Sequence, residues 1–333
     1  MIRPLLIACT FFFVAPAYSA ISWNITFEDV VNNTGVGFDD ATFGASRQST
    51  FNSVLNYINS AIDANGNVDF TVNNSQTDGG GSLASAGTLY FTGPNGFSNG
   101  LLFQHATTGV DPFGGANDGS ATFDFGYNWN SELDAPTPTE FDLFTVSLHE
   151  VTHAMGFASL VNADGNSEID MPGGNPGGNP GVFSVFDTFL ELGDGTDLFS
   201  AGGSYDGTAA DLISDDVFFS GANAVAANGG APVKMYAPTT FNDGSSISHF
   251  NQNFIIPTVG GAVTGPFFPG TIMSPAVAMG VEKRAYTALD LGVLQDIGWT
   301  VSAVPEPSSF LALAIVGAGA AYRKRRKSAK QAA

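Results

Sequence analysis

Cysteine is almost missing from this chain. The single one, Cys9, lies in the first 20 residues. Beyond that segment disulfides, thiolate metal sites and a cysteine nucleophile are all excluded. Positive charge is nearly as scarce, with 11 Lys and Arg against 31 Asp and Glu and a net charge of −20. Residues 21–303 hold only Arg47, Lys234, Lys283 and Arg284 against 30 acids, a net −26. Nucleic acid and anionic membrane surfaces are therefore poor partners. Neither of the chain's two apolar runs reaches the ~20 residues of a comfortable membrane span. Histidine is rare too, with four in 333 residues.

What is present begins with a leader. "MIRPLLIACTFFFVAPAYSA" combines Arg3, an apolar run from Leu5 to Val14 and small residues at Ala17, Ser19 and Ala20. That order defines a secretory signal peptide over residues 1–20. At the other end, residues 303–333 join Pro305-Glu306-Pro307, an apolar stretch from Phe310 to Ala321 and a basic cluster from Arg323 to Lys327. The basic end is expected to stay cytoplasmic. This three-part order resembles the PEP-CTERM sorting signal of Gram-negative bacteria. The resemblance implies export to the cell envelope or surface, a short transmembrane segment as the only membrane contact, and an exosortase-type sorting enzyme that removes the tail.

Between the ends, residues 21–302 suffice for one large or two small lobes. Phe51, Val54, Leu55, Ile58 and Ile62 fall at helical spacing and predict an amphipathic helix over 45–64. "NVDFTV" (67–72), "GTLYFTG" (87–93) and "ATFDFGYNW" (121–129) read as strands, and the Gly-, Pro- and Asn-rich 162–181 as a long loop. A final helix is expected over 282–296. The fold class is α+β, with a mixed sheet and the key helix ahead of residue 157 and an irregular lobe after it. The acidic, Asn-rich composition leaves room for structural calcium.

The chemistry is carried by "FDLFTVSLHEVTHAMGFASL", residues 141–160. His149 and His153 stand i,i+4 on one helix face with Glu150 directly after the first, the arrangement by which two neutral imidazoles converge on zinc beside a carboxylate that serves as base. Thr137-Pro138-Thr139-Glu140 reads as the helix start, and Gly156 as its stop. Phe141, Phe144, Leu148, Val151 and Met155 form a separate apolar stripe. A third ligand is needed, and His105 and His249 are the remaining histidines. The compact metzincin spacing puts Ser159 where a histidine would stand.

Farther on, Ser248-His249-Phe250 precede Met273-Ser274-Pro275. With His149, Glu150, His153 and Gly156, these residues resemble the leishmanolysin branch of the metzincins, in which a long insertion separates the helix motif from the third histidine and a Met-turn. Phe250 departs from that family's Trp, the interval from His249 to Met273 is longer, and no cysteine is present for a latency switch. The resemblance implies a two-lobed zinc endopeptidase in which His149, His153 and His249 bind one Zn2+, Glu150 is the general base, and Met273 underlies the metal. It also implies that an edge strand, expected at 121–129, pairs with an extended protein or peptide substrate. His105 is then a structural or surface residue. A non-catalytic surface or matrix protein and a zinc hydrolase acting on a non-peptide bond are the alternatives.

Overall fold

Val68, Phe70 and Val72 point inward from strand Asn67–Val72 while the residues between them are less buried, the period-two pattern of a strand with one face on a core. In the computed structural model, which describes residues 20–91, 95–169, 178–251 and 270–302, this strand lies inside a four-stranded mixed sheet. Ser22–Phe27 and Gly119–Phe123 flank it in parallel, and Ala84–Thr88 pairs antiparallel with Gly119–Phe123 at the edge. Residues 1–19, where the signal peptide is expected, the centre of the 162–181 loop (170–177) and the tail from 303 onward lie outside the described residues. Among the described residues, no helix is long and apolar enough to cross a membrane.

Helix Gly44–Ala61 buries Phe51, Val54, Leu55 and Ile58 between the sheet and the helix that carries the His-Glu-x-x-His motif. Phe38, Phe51 and Phe123 meet edge to face at 5.6–6.1 Å, a geometry that adds to simple area burial. After the motif, regular structure becomes sparse. Leu190–Leu192, Val217–Phe219 and Val233–Lys234 form a small antiparallel sheet. Helices Ala222–Ala227 and Ala288–Asp296 pack closely because Gly292 has no side chain: a Cβ there would lie 2.9 Å from the Cα of Ala224.

Several expectations need correction. Thr137–Glu140 is a closed turn, in which Glu140 accepts the Thr137 N–H through its carboxylate (2.8 Å) and donates its own N–H to the Thr137 carbonyl (3.0 Å). The chain then forms the short strand Phe141–Asp142, so the helix begins at Leu143. The expected strand 121–129 breaks at Asp124, whose carboxylate accepts the Gly126 N–H at 2.8 Å. Its regular part, Gly119–Phe123, is interior, lying between Asn67–Val72 and the edge strand Ala84–Thr88. That edge also replaces the strand expected at 87–93. The last helix starts at Ala288, because the N–H groups of Lys283 and Tyr286 are engaged by Thr145 Oγ1 (2.7 Å) and Tyr57 OH (2.6 Å).

Candidate metal centre

The motif helix, Leu143–Ala154, is fixed at both ends. Asp142 is its N-cap, accepting from the Thr145 N–H (3.1 Å) and Oγ1–H (2.6 Å). The same fully buried carboxylate is forked by Arg284, whose Nη2 and Nε donate at 2.5 and 3.0 Å. At the other end Gly156 adopts φ +98°, and the Phe157 N–H returns to the Thr152 carbonyl.

Between these anchors His149 and His153 project from one face, and His249 arrives from the other side of the 157–248 segment. The three Nε2 atoms form a triangle with sides of 3.0, 3.1 and 3.1 Å. Every Nδ1 is held by a carbonyl: His149 by Ile272 (2.9 Å), His153 by Phe157 (2.8 Å) and His249 by Ser245 (2.7 Å). A carbonyl only accepts, so each Nδ1 carries the proton and each Nε2 presents a lone pair inward. Burial favours the neutral rings, lowering His149 to about 4, His249 to about 3 and His153 well below its ordinary value. Three converging lone pairs repel one another unless a cation lies among them, and the triangle is compact enough for one ion at ~2.0–2.1 Å to reach all three. The donor set therefore fits a single nitrogen-preferring divalent cation, with second partners that already fix each ring.

Glu150 is buried beside the pair and has no protein hydrogen-bond partner among the described residues; desolvation raises its carboxyl to about 8. It opens on a cleft of about 670 Å³ that the three histidines share with the edge strand Ala84–Thr88 and with Ser274–Val277. Met273 is fully buried in the turn below. That turn is stitched to the histidines on both sides, since Ile272 accepts from His149 and the Met273 carbonyl accepts the Phe250 N–H at 3.0 Å. Phe250 packs edge-on against Phe157 at 5.3 Å, so this ring pair joins the two histidine-bearing segments. Ser159 also serves the join, donating its N–H to Ser248 Oγ at 3.0 Å.

His105 lies elsewhere. Its Nδ1 meets Asp118 Oδ2 at 2.8 Å, and that oxygen also accepts the Asp69 N–H. His105 and Asp118 thus form a buried polar pair that, with the N–H of the half-buried Asp69, pins helix Gly100–Thr108 to the sheet.

Sequence reasoning missed Asp142, Arg284 and Asp290. The buried Asp290 caps helix Ala288–Asp296 through Thr287 and also accepts the N–H groups of Ile272 (3.1 Å) and Met273 (3.3 Å), holding the turn under the histidines. Its signal was Thr287-x-x-Asp290, a capping box hidden inside the longer helix expected there.

Comparison with known families matches residues 303–327 to the PEP-CTERM protein-sorting motif. The protein is accordingly exported to the cell envelope or surface of a Gram-negative bacterium, with its C-terminus addressed to an exosortase. No curated protein and no solved structure matches the chain.

Proposed function

We propose that this exported protein is a zinc-dependent endopeptidase of leishmanolysin-like metzincin type, with His149, His153 and His249 as the zinc ligands. The observation that supports this most directly is the triangle of Nε2 lone pairs, each locked by a carbonyl on the far side of its ring. Zinc bound there supplies Lewis acidity at a substrate carbonyl and lowers the pKa of a water toward ~7.

The remaining work falls to the chain's own groups. Glu150, next to His149 and without a hydrogen-bond partner among the described residues, takes a proton from the attacking water and returns it to the leaving amine. Its burial raises proton affinity, which suits a group that must hold a proton between the two transfers, and a nearby cation opposes that shift and brings the carboxyl toward neutral pH. Strand Ala84–Thr88 forms one wall of the cleft as the edge of its sheet, and an extended peptide laid along it gains backbone hydrogen bonds without regard to sequence. Asp290, Met273 and Ile272 position His149 from below.

Zinc content measured by elemental analysis, together with cleavage of casein by the wild type and the Glu150→Ala variant, tests this reading. One zinc per chain in both proteins and activity in the wild type alone is the expected result. A metal-free wild type, or full activity without Glu150, overturns it.

A further inference from the structure

Only four cations occur between residues 21 and 303, and one of them, Lys283, lines the cleft. Arg284 is committed to Asp142, Lys234 pairs with Asp215 at 2.8 Å on the surface, and Arg47, which lies over the Phe125 ring and donates to the Gly37 carbonyl at 2.7 Å, does not line the cleft. Lys283 differs from all three. Its side chain is half-buried and its ammonium donates to the Thr271 carbonyl (3.0 Å) and Ser274 Oγ (2.8 Å), both neutral acceptors. Among the described residues no carboxylate lies within 4 Å of it. Asp290, the acid whose field reaches it, is occupied by Thr287, Ile272 and Met273. Residues 252–269, outside the description, contain no acid at all.

An ammonium has three N–H donors, and two neutral acceptors leave the third without a partner among the described residues. Removing a lysine from water without a counter-charge is costly, and in a domain of net −26 carboxylates were abundant. The wall on which it stands includes Thr145, Ser274 and Pro275, next to His149. The cleft's other acids apart from Glu150, Glu168 and Asp243, influence each other and lie with Leu160 and Ser245. The cleft thus holds one lysine, whose charge reaches His149, and two further acids on the segments that carry Leu160 and Ser245.

We propose that Lys283 is a specificity residue that selects peptides bearing an aspartate or glutamate side chain beside the scissile bond, the substrate carboxylate completing the coordination of its ammonium. This rests on the endopeptidase reading. It adds to that reading a substrate class, acidic peptides, which an enzyme of strongly negative charge would otherwise repel.

The test uses the zinc-supplemented mature domain and a peptide set in which each position around the cleaved bond carries Asp, Asn, Glu, Gln, Leu or Lys in turn. At one position Asp or Glu is expected to raise kcat/KM about tenfold or more over Asn or Gln, the scale of a charge-assisted hydrogen bond. Lys283→Met, shown by circular dichroism to fold, should erase that preference while cleaving the neutral peptides within about threefold of wild type. Lys283→Glu should turn the preference toward Lys. Absence of an acidic preference, or its survival in Lys283→Met, overturns the proposal and leaves the peptidase reading intact. Equal loss on neutral and acidic peptides also overturns it, because Lys283 would then act on the reacting centre or the fold. Binding supplies a readout independent of turnover: calorimetric titration of the Glu150→Ala protein with the Asp and Asn peptides should show tighter binding of Asp, abolished by adding Lys283→Met. Equal affinities sink the subsite even if no peptide is ever cleaved, whereas a difference supports it and assigns a failure of cleavage to the peptidase reading alone.

Discussion

The Nδ1–H of His149 donates to the carbonyl of Ile272 at 2.9 Å, joining the motif helix to a turn 123 residues away. The next residue, Met273, is buried beneath, and both N–H groups of this pair are received by Asp290. A helix cap, a turn and a candidate ligand thus form one mechanical unit, so damage to Asp290 should be felt at His149.

Asp290→Ala is expected to weaken zinc binding by about 10–100-fold, the usual cost of losing an outer partner of a ligand. It should also destabilise the fold by roughly 1–3 kcal/mol through the N–H groups left unmade. Competition with a chromophoric chelator reads the first effect and urea denaturation the second. Asp290→Asn, which keeps an acceptor, should recover much of both. A destabilised variant with undiminished metal affinity would separate the turn from the site.

Arg284 presents a different case. Its guanidinium forks the fully buried Asp142 and also donates to the carbonyls of Leu133 and Asp134. Arg284→Met leaves a carboxylate stranded at the start of the motif helix and should cost about 3 kcal/mol, toward the lower end for broken buried pairs because Arg284 itself is partly exposed. The urea midpoint checks the size. A loss well under ~1 kcal/mol would mean that the Thr145 cap alone satisfies Asp142.

Each of the three histidines works against the metal-free domain as pH falls, and the sign follows from their direction of shift. Unfolded histidine titrates near 6.5. Burial has depressed all three folded values, to about 4 for His149 and about 3 for His249, with His153 well below ordinary. Their contribution is therefore complete above pH ~6.5 and is lost as pH falls toward the folded values, by up to ~1.4 kcal/mol per pH unit for each ring. Asp187 works the other way: burial raises it to about 6, so the folded protein keeps that proton while the unfolded chain releases it, and this share of stability grows as pH falls from 6 toward 4. Glu150, raised to about 8, and Glu168, raised to about 7, act in the same direction as Asp187, so acids and histidines largely offset one another between pH 7.5 and 5.0 and the comparison of proteins carries the test. On metal-stripped protein, going from pH 7.5 to 5.0 should move the urea midpoint of Asp187→Asn further toward loss than that of the wild type. An identical pH response in the two proteins would contradict the Asp187 shift.

Export supplies a prediction away from the fold. The motif at 303–327 directs the C-terminus to an exosortase, so mass spectrometry of protein from the native host should find chains ending near Pro305–Pro307. Recovery of Arg323–Lys327 on most molecules would count against processing.

Much of the site was legible because helical spacing is rigid. His149, Glu150 and His153 must share a region of one face wherever that helix forms, and Gly156 had a conformational reason to end it. Residues 67–72 were equally plain, since alternation of large side chains marks a half-buried strand. Ala84–Thr88 was not, because Ala, Ser and Gly give no apolar alternation, yet this is the edge strand on the cleft. The helix starts misled for a related reason. Thr137-Pro138 and Asp142 are both sound N-caps locally, and only the pairing of Phe141–Asp142 with Trp129–Asn130 and the clamp from Arg284, 142 residues distant, decide for Asp142. Lys283 carries no periodic signal at all, and its position depends on Thr145, Thr271 and Ser274 meeting in space.

The assignment most exposed to error in the sequence was the third ligand, because 96 residues separate His153 from His249 and spacing says nothing over that interval. The structure brings His249 Nε2 within 3.1 Å of both partners and leaves His105 with Asp118. His249→Ala removes one of three imidazoles and should reduce zinc affinity beyond the ~10–100-fold typical of outer partners. His105→Ala leaves the Asp118 carboxylate with the Asp69 N–H and should cost about 1–3 kcal/mol of stability while zinc stays bound. Elemental analysis after dialysis against a weak chelator, on both variants with circular dichroism and a urea midpoint for each, keeps folding apart from binding. Retention of zinc by a folded His249→Ala would remove His249 from the ligand set and with it the leishmanolysin-like arrangement, and loss of zinc from a folded His105→Ala would move the search to Asp69, His105 and Asp118.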